Sequence, residues 1–515
     1  MTAAATRAKL ERMRCLPARL ATPVAFVACL AASSGVATVR AEPDRPRAGA
    51  GGYLRVMARP DLQGGNGALG YWNLHGRLLN ERPWAALEGR LDLLPEVSGR
   101  RAPWTSVHAR IEGGSVGSAS PDDGNLAAFR LSQLFVRGGN LALPNVTWQL
   151  GTLDYFMGDL GLYDMRPAYL FAETVGLSAR YRDDDVDVTV GVGDSGFKLR
   201  TTQYAPVLTV GGAVRVSLAR GLELGLGGQV MHEPKVPGNR FAPHTTPDLD
   251  YEDWLRGEVM TRYDAANPNR LDDFPAPEAR DATAWLGFAY VGFGGGALRW
   301  NSLYARLEKR LPDQFSTETF ADRVFRLHLG SLTDERHALT IGNEAQLTLI
   351  PGRLELAWGL LWGHAWNPDN QVAPGDDNRT FMSTVARLQT YLTPELHLLL
   401  ESSLAREISH RGHRYRGWGD SVFASTEGLS DPRGLEFGDQ DVRDTWQLKV
   451  GPALSPLGLG LYTRPSFRLL YGLQWSSQIN AFGNSFVESL DQYNVYGAPS
   501  QRWHHILSLE VEAWF

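Results

Sequence analysis

Apolar and polar residues alternate with a period of two through almost the whole of this chain, and that pattern leaves few folds open. Val214, Val216 and Leu218 share one face of a segment whose other face carries Arg215 and Ser217. In the last segment Leu507, Leu509, Val511, Ala513 and Phe515 oppose Ser508, Glu510, Glu512 and Trp514. Residues i and i+2 lie on one face of an extended strand, so each segment reads as a strand with an oily side and a wet side. The segments run about 9–14 residues, the length a tilted strand needs to cross a bilayer.

The connections between them fall into two kinds. Tight turns are expected at Asn80–Pro83, Asp183–Asp185, Arg220-Gly221, Gly294–Gly296, Pro351-Gly352 and Thr393-Pro394. Long polar loops cover roughly 233–281, 367–379, 409–441 and 478–501. Short turns at one end and long loops at the other mark a transmembrane antiparallel barrel rather than a soluble sandwich. About 18 to 21 candidate strands can be marked, the weakest near 252–263 and 324–331, and an even number near 18 is the expectation. A barrel of that size encloses an aqueous lumen. The expected class is therefore all-β, one transmembrane barrel over residues 52–515 closing on a terminal aromatic, Phe515.

The N-terminus reads as an address. Arg7, Lys9, Arg12, Arg14 and Arg19 precede an apolar stretch from Ala21 to Val39, and Val39-Arg40-Ala41 offers small residues for cleavage. Residues 1–41 fit a secretory signal peptide, followed by a short Pro/Gly linker at 42–51. A membrane anchor is the competing reading, opposed by Pro23 and the abundance of small residues. A lipoprotein reading would use Phe26-Val27-Ala28 before Cys29, without the usual leucine. Cys15 and Cys29 are the two cysteines of the chain, so residues 42–515 can form no disulfide and no thiolate metal site. The leader is basic, so the remainder is more acidic than the −6 of the whole chain, which argues against nucleic acid as a partner.

Several motifs are decoys. Gly113-Gly114-Ser115-Val116-Gly117 matches a nucleophile elbow but leaves a strand for a loop. Gly191-Val192-Gly193-Asp194-Ser195-Gly196 matches a dinucleotide fingerprint with no helix after it. With 55 glycines, such matches arise by chance. His504 and His505 fall on opposite faces of a strand and cannot chelate together. His232, His244, His364 and His397 are scattered. Asp183–Asp185 and Asp439-Gln440-Asp441 could hold Ca²⁺, but a charged turn and a solvated loop are the simpler readings. No enzyme, metal or cofactor is expected.

Aromatic residues of a barrel usually form girdles on the lipid side, and Trp358 fits, sharing a face with Leu354, Leu356 and Leu360. Three break the rule. Tyr53 shares parity with Arg55; Trp84 with Glu88, Arg90 and Asp92; Trp514 with Glu510 and Glu512. Parity turns them into the lumen beside charge, where they either pack against an inward-folded loop or offer a surface to sugars. Pyranose C–H faces stack on rings, while Arg, Asp and Glu exchange hydrogen bonds with the hydroxyls.

Gly52-Tyr53-Leu54-Arg55 resembles the first strand of the maltoporin family. Arg77-Leu78-Leu79-Asn80-Glu81 with Trp84 resembles its next strand pair. Ala128-Phe129-Arg130 and Arg464-Pro465-Ser466-Phe467-Arg468 are similar to further family segments, and Trp514-Phe515 to its closing aromatic pair. Gly151 through Glu173 resembles the family's inward-folded constriction loop, with Asp164 at a polar-track position; the residues themselves leave open whether this loop folds in. The resemblance implies an aromatic slide of Tyr53, Trp84 and Trp514, a polar track of Arg55, Arg77, Arg130 and Asp164, and a homotrimer. It departs where Met157, Ala86 and Leu392 replace a track Arg, a track Glu and a slide Trp, and where 115–128 lacks the family's second-loop Trp. The small N-terminal disulfide of the family is absent too. The expectation is an outer-membrane porin passing oligosaccharides or other small hydrophilic solutes, with outer-membrane lipid around it. The rivals are a general or anion-preferring diffusion porin and a structural, adhesive or enzymatic barrel.

Overall fold

A computed structural model describes residues 47–59, 72–81, 83–95, 102–114, 129–141, 143–196, 206–219, 221–234, 281–311, 318–320, 323–325, 336–366, 379–410, 442–477 and 502–515. The expected signal peptide, both cysteines, His244, Asp439-Gln440-Asp441 and most of the long loops lie outside them.

The strands are β1 (Ala48–Ala58), β2 (Trp84–Leu94), β3 (Trp104–Gly114), β4 (Arg130–Gly139), β5 (Val146–Phe156), β6 (Tyr169–Arg182), β7 (Val186–Asp194), β8 (Leu208–Ala219), β9 (Leu222–Glu233), β10 (Ala282–Gly295) and β11 (Leu298–Lys309). After a small hairpin of β12 (Glu318–Phe320) and β13 (Arg323–Phe325) come β14 (His337–Ile350), β15 (Leu354–Trp366), β16 (Arg379–Tyr391), β17 (Leu396–Ser409), β18 (Val442–Leu454), β19 (Ser466–Ser476) and β20 (Trp503–Trp514). Apart from that hairpin they form one 18-stranded sheet. Each pairs antiparallel with its neighbours in sequence, and β1 closes the cylinder. Tyr53 lies opposite Ala86 of β2 on one side and opposite Trp514 of β20 on the other. Closure leaves no sheet edge, which a strand structure in lipid requires.

The strand number agrees with the alternation pattern. Of the two weak candidates, 252–263 lies outside the described residues, and Arg323–Phe325 belongs to the separate hairpin. One boundary moves. The expected linker 42–51 ends sooner, because Ala48 already pairs with Leu91.

Alternation sorts the side chains as read from the sequence. Leu87, Leu91, Leu93, Leu507, Leu509 and Phe515 are exposed on the outside, while Glu510, Glu512 and Ser508 are buried inside. Trp358 is outside too, its Nε1–H donating to Thr384 Oγ1 at 3.0 Å. His504 is buried while the next residue, His505, meets the outward Tyr471 hydroxyl.

Candidate functional site

Three stretches that are not strands fold into the lumen. Residues 72–81 begin with a single helical turn, α1 (Trp72–His75). Residues 157–168 join β5 to β6, and 455–465 join β18 to β19. The expected constriction loop therefore does fold inward, and its sequence explains how. Leu160, Leu162 and Tyr163 are fully buried against the wall, whereas Asp159, Asp164 and Arg166 stay exposed on the other side.

Glycines make the seat. A Cβ at Gly225 would come within 2.5 Å of the Met157 sulfur, one at Gly342 within 2.5 Å of Leu160 Cδ1, and one at Gly359 within 2.7 Å of Tyr163 Cε2. Inward-facing hydrogen bonds then anchor the backbone. Leu162 N–H donates to Glu344 at 2.8 Å, and the Tyr304 hydroxyl donates to the Met157 carbonyl at 2.9 Å. Arg77 N–H donates to the Leu162 carbonyl at 2.8 Å, tying the first two inward stretches together. Lys449 donates to the His75 carbonyl at 2.8 Å, and the Tyr462 hydroxyl of the third stretch donates to Glu344 at 2.7 Å.

These stretches pack against one side of the barrel and leave the other open. On β16–β18 the inward side chains are sealed. Glu401, Arg443 and Lys449 are at most 1% exposed, held in the pairs Arg387–Glu401, Lys449–Glu401 and Arg443–Glu407 at 2.7, 2.8 and 2.8 Å. On β2–β6 inward charges meet water, with Glu88 at 51%, Arg90 at 43% and Arg180 at 39% exposure, while uncharged neighbours such as Ser106 and Thr174 are buried. Burial of paired charge on one wall and hydration of the same residue types on the other define an off-centre polar path along β2–β8. Its charges interleave, with Arg110 between Glu88 and Glu112, and Asp187 between Arg180 and Arg215. Ring faces along it carry guanidiniums. Arg137 lies 5.0 Å from the Phe135 ring centre, Arg166 4.3 Å from Phe156, and Arg180 5.3 Å from Tyr155.

Most of the residues singled out by sequence converge, though not as a continuous file of rings. Tyr53 is buried, its hydroxyl donating to Glu512 at 2.9 Å and its ring 4.6 Å from that of Trp514 at 50°. Arg55 donates to the Tyr53 hydroxyl at 3.0 Å and to Glu81 at 2.6 Å; Arg77 donates to Glu81 at 3.0 Å and to Glu512 at 2.9 Å. Asp164 sits at the turn of the second inward stretch with φ 52° and carries its carboxylate toward Glu81. Trp514 is exposed at the strand end, and Trp84 is half-buried opposite Arg55 in register. Arg130 stands apart, exposed and opposite Glu112. Met157 lies in the apolar cluster that the inward stretch buries, and Ala86 is buried as well.

Sequence reading missed Glu81 and Glu512 as the hubs of this network, and Arg464 and Arg468, which reach Glu512 at 2.8 and 2.7 Å. It also missed that 455–465 folds inward. A usable signal was present: glycine at inward positions of otherwise alternating strands, which leaves room for something to lie there.

The two inward carboxyls, Glu81 and Asp164, act on each other. Burial pushes Glu81 up to about 7, against the pull of Arg77 and Arg55. Burial also raises Asp164, but its hydrogen bond with Glu81, then Arg77 and Arg55, bring it below the usual carboxylate range. Both arginines donate to Glu81 Oε2. No three His, Cys, Asp or Glu side chains converge as metal ligands among the described residues.

Closed, antiparallel and apolar outside, the chain is an 18-stranded β-barrel of the transmembrane class. No family model matches it, and no curated protein does. Among solved structures it is similar to Wzi of Escherichia coli, described as an outer-membrane carbohydrate-binding barrel involved in capsule assembly (TM-score 0.39, 11% identity, 90% of this chain and 84% of that one). It is also similar to OprD of Pseudomonas aeruginosa (0.39, 9%, 91% and 95%) and to the trimer form of OmpT, an outer-membrane protein of Vibrio cholerae (0.31, 7%, 91% and 99%). TM-scores and identities this low assign neither family nor activity.

Proposed function

We propose that the protein is an outer-membrane channel for passive diffusion of small hydrophilic solutes, sugars foremost, along the β2–β8 wall. The observation that carries this is the contrast between hydrated inward charge on β2–β6 and sealed inward charge on β16–β18. Interleaved Arg, Asp and Glu present donors and acceptors side by side, which suits a ring of hydroxyls better than a simple ion. No energy source or cofactor is needed.

The sugar preference rests more on this polar wall than on a slide of rings. Tyr53 is spent on Glu512 and Trp514, and three ring faces along the path carry arginines. The maltoporin resemblance therefore supports the lineage of the N-terminal and C-terminal strands more than a long-chain maltodextrin site. Single-channel current across a planar bilayer with graded maltodextrins tests the reading. Reversible block that strengthens over the first few sugar units is expected. Current unaltered at millimolar sugar would leave a general pore.

A further inference from the structure

The outer wall over β11 and β14–β19 carries an open depression of about 710 Å³. Its floor is Leu303, Ile341, Leu360, Met382 and Leu404, all on the lipid-facing parity. Its rim holds an ion pair that the channel does not use. Arg406 Nε and Nη2 donate to Asp444 Oδ1 and Oδ2 at 2.6 and 2.8 Å, with exposures of 51% and 40%. Arg406 lies three residues below Ser409 and Asp444 two below Val442, at the strand ends joined by the long connection 410–441. Long loops mark the outer face, so the pair sits at outer-leaflet headgroup depth. Trp362, Trp446 and Trp475 line the same hollow, and Trp446 Nε1–H donates to Ser402 at 3.0 Å.

We infer that this hollow is a binding site for an outer-leaflet glycolipid carrying several acyl chains. The depression spans six inter-strand steps, from β11 through β14, β15, β16, β17 and β18 to β19. At about 4.8 Å per step that is wider than a single chain needs. The ion pair has no net charge to capture a phosphate outright. Its fork spends two of the guanidinium's five N–H groups and two of the carboxylate's four lone-pair sites. Donors and acceptors therefore remain side by side, flanked by indole rings, the combination that holds a sugar with its hydroxyl rim and C–H faces. Acyl chains then descend along the leucine and methionine floor, where apolar contact is the only demand. Placing the site in the outer leaflet rests on the outer-membrane reading above, but the site itself does not depend on conduction.

Native mass spectrometry of the whole barrel in detergent, titrated with a hexa-acylated diglucosamine lipid, tests the inference. Phosphatidylethanolamine of matched chain length serves as the control probe. Discrete one-to-one glycolipid adducts, held at least about tenfold more tightly than the phospholipid, are expected. Arg406→Leu with Asp444→Leu should reduce retention about tenfold while heat-resistant gel mobility is unchanged. Leu360→Trp, which fills the floor from a position whose cross-strand partners are Asn343 and Thr384 rather than the pair, should do the same and guards against a folding defect in the first variant. Equal retention of both lipids, retention indifferent to both variants, or a dimer or trimer peak that vanishes with either would overturn the inference. Conductance recorded on the same sample separates its failure from failure of the channel reading.

Discussion

Gly359 of β15 lies directly beneath the ring of Tyr163, so close that a Cβ there would approach Tyr163 Cε2 to 2.7 Å. The barrel wall is hollowed by missing side chains where the inward stretch needs room. Gly342 does the same for Leu160 and Gly225 for Met157.

Filling those seats should unseat the constriction. Gly342→Val with Gly359→Val forces Leu160 and Tyr163 off the wall, an overpacking that costs about 1–3 kcal/mol at each site. Single-channel conductance is expected to rise and become noisy, while the heat-modifiable gel shift persists. Unchanged conductance would mean that 157–168 does not set the pore.

Acidity should tighten the contact between the inward stretches. Glu81 titrates near 7 in the folded barrel against an ordinary 4.5. A raised carboxyl binds its proton more tightly when folded, so this contribution is complete below about pH 4.5 and is lost as pH climbs through about 7. Above that, two adjacent ionised carboxyls repel. Hydrogen-exchange protection of the Arg77 amide, corrected for intrinsic rate, should fall between pH 5 and 8. Glu81→Gln should flatten that profile.

The sealed wall should tolerate no half-measures. Glu401 accepts from both Arg387 and Lys449 in a site closed to water. Glu401→Leu strands two buried cations and is expected to cost about 3–5 kcal/mol in urea unfolding of the refolded barrel. By contrast Glu88→Leu, on the hydrated wall, should cost under about 1 kcal/mol.

Charge on the open wall should tune ion preference. Removing Arg90 and Arg110 together leaves Glu88, Asp92 and Glu112 in the path. The reversal potential in a salt gradient should move toward cation preference by about two- to fivefold in permeability ratio. Arg387→Gln, on the sealed wall, should leave the ratio alone.

Much of the barrel was legible in the sequence because a strand that meets oil and water writes its orientation in every second residue. Leu507, Glu510 and Trp358 fell where parity put them. The number of strands followed from the same pattern, whereas the inward fold of 157–168 was implied by the maltoporin resemblance and left open by the residues themselves. What the interior does with its polar face was not legible. Parity brings Tyr53, Glu510 and Glu512 inside, but whether an inward residue meets water or a plug depends on loops seated far away in sequence. Tyr53 and Glu88 share an inward face, yet one is buried against Glu512 and the other is bathed in solvent. Only the three-dimensional seating of 72–81, 157–168 and 455–465 decides between them.

A cysteine scan tests the path most directly, because residues 42–515 contain no cysteine of their own. Single-channel current is recorded from barrels carrying one new thiol, before and after a charged methanethiosulfonate reagent. With Glu88→Cys or Arg180→Cys the current should drop in discrete steps, while Gln447→Cys, on the sealed wall, should remain silent. Steps from the β18 position with none from β2 or β6 would place the solute on the other side of the barrel and contradict the account.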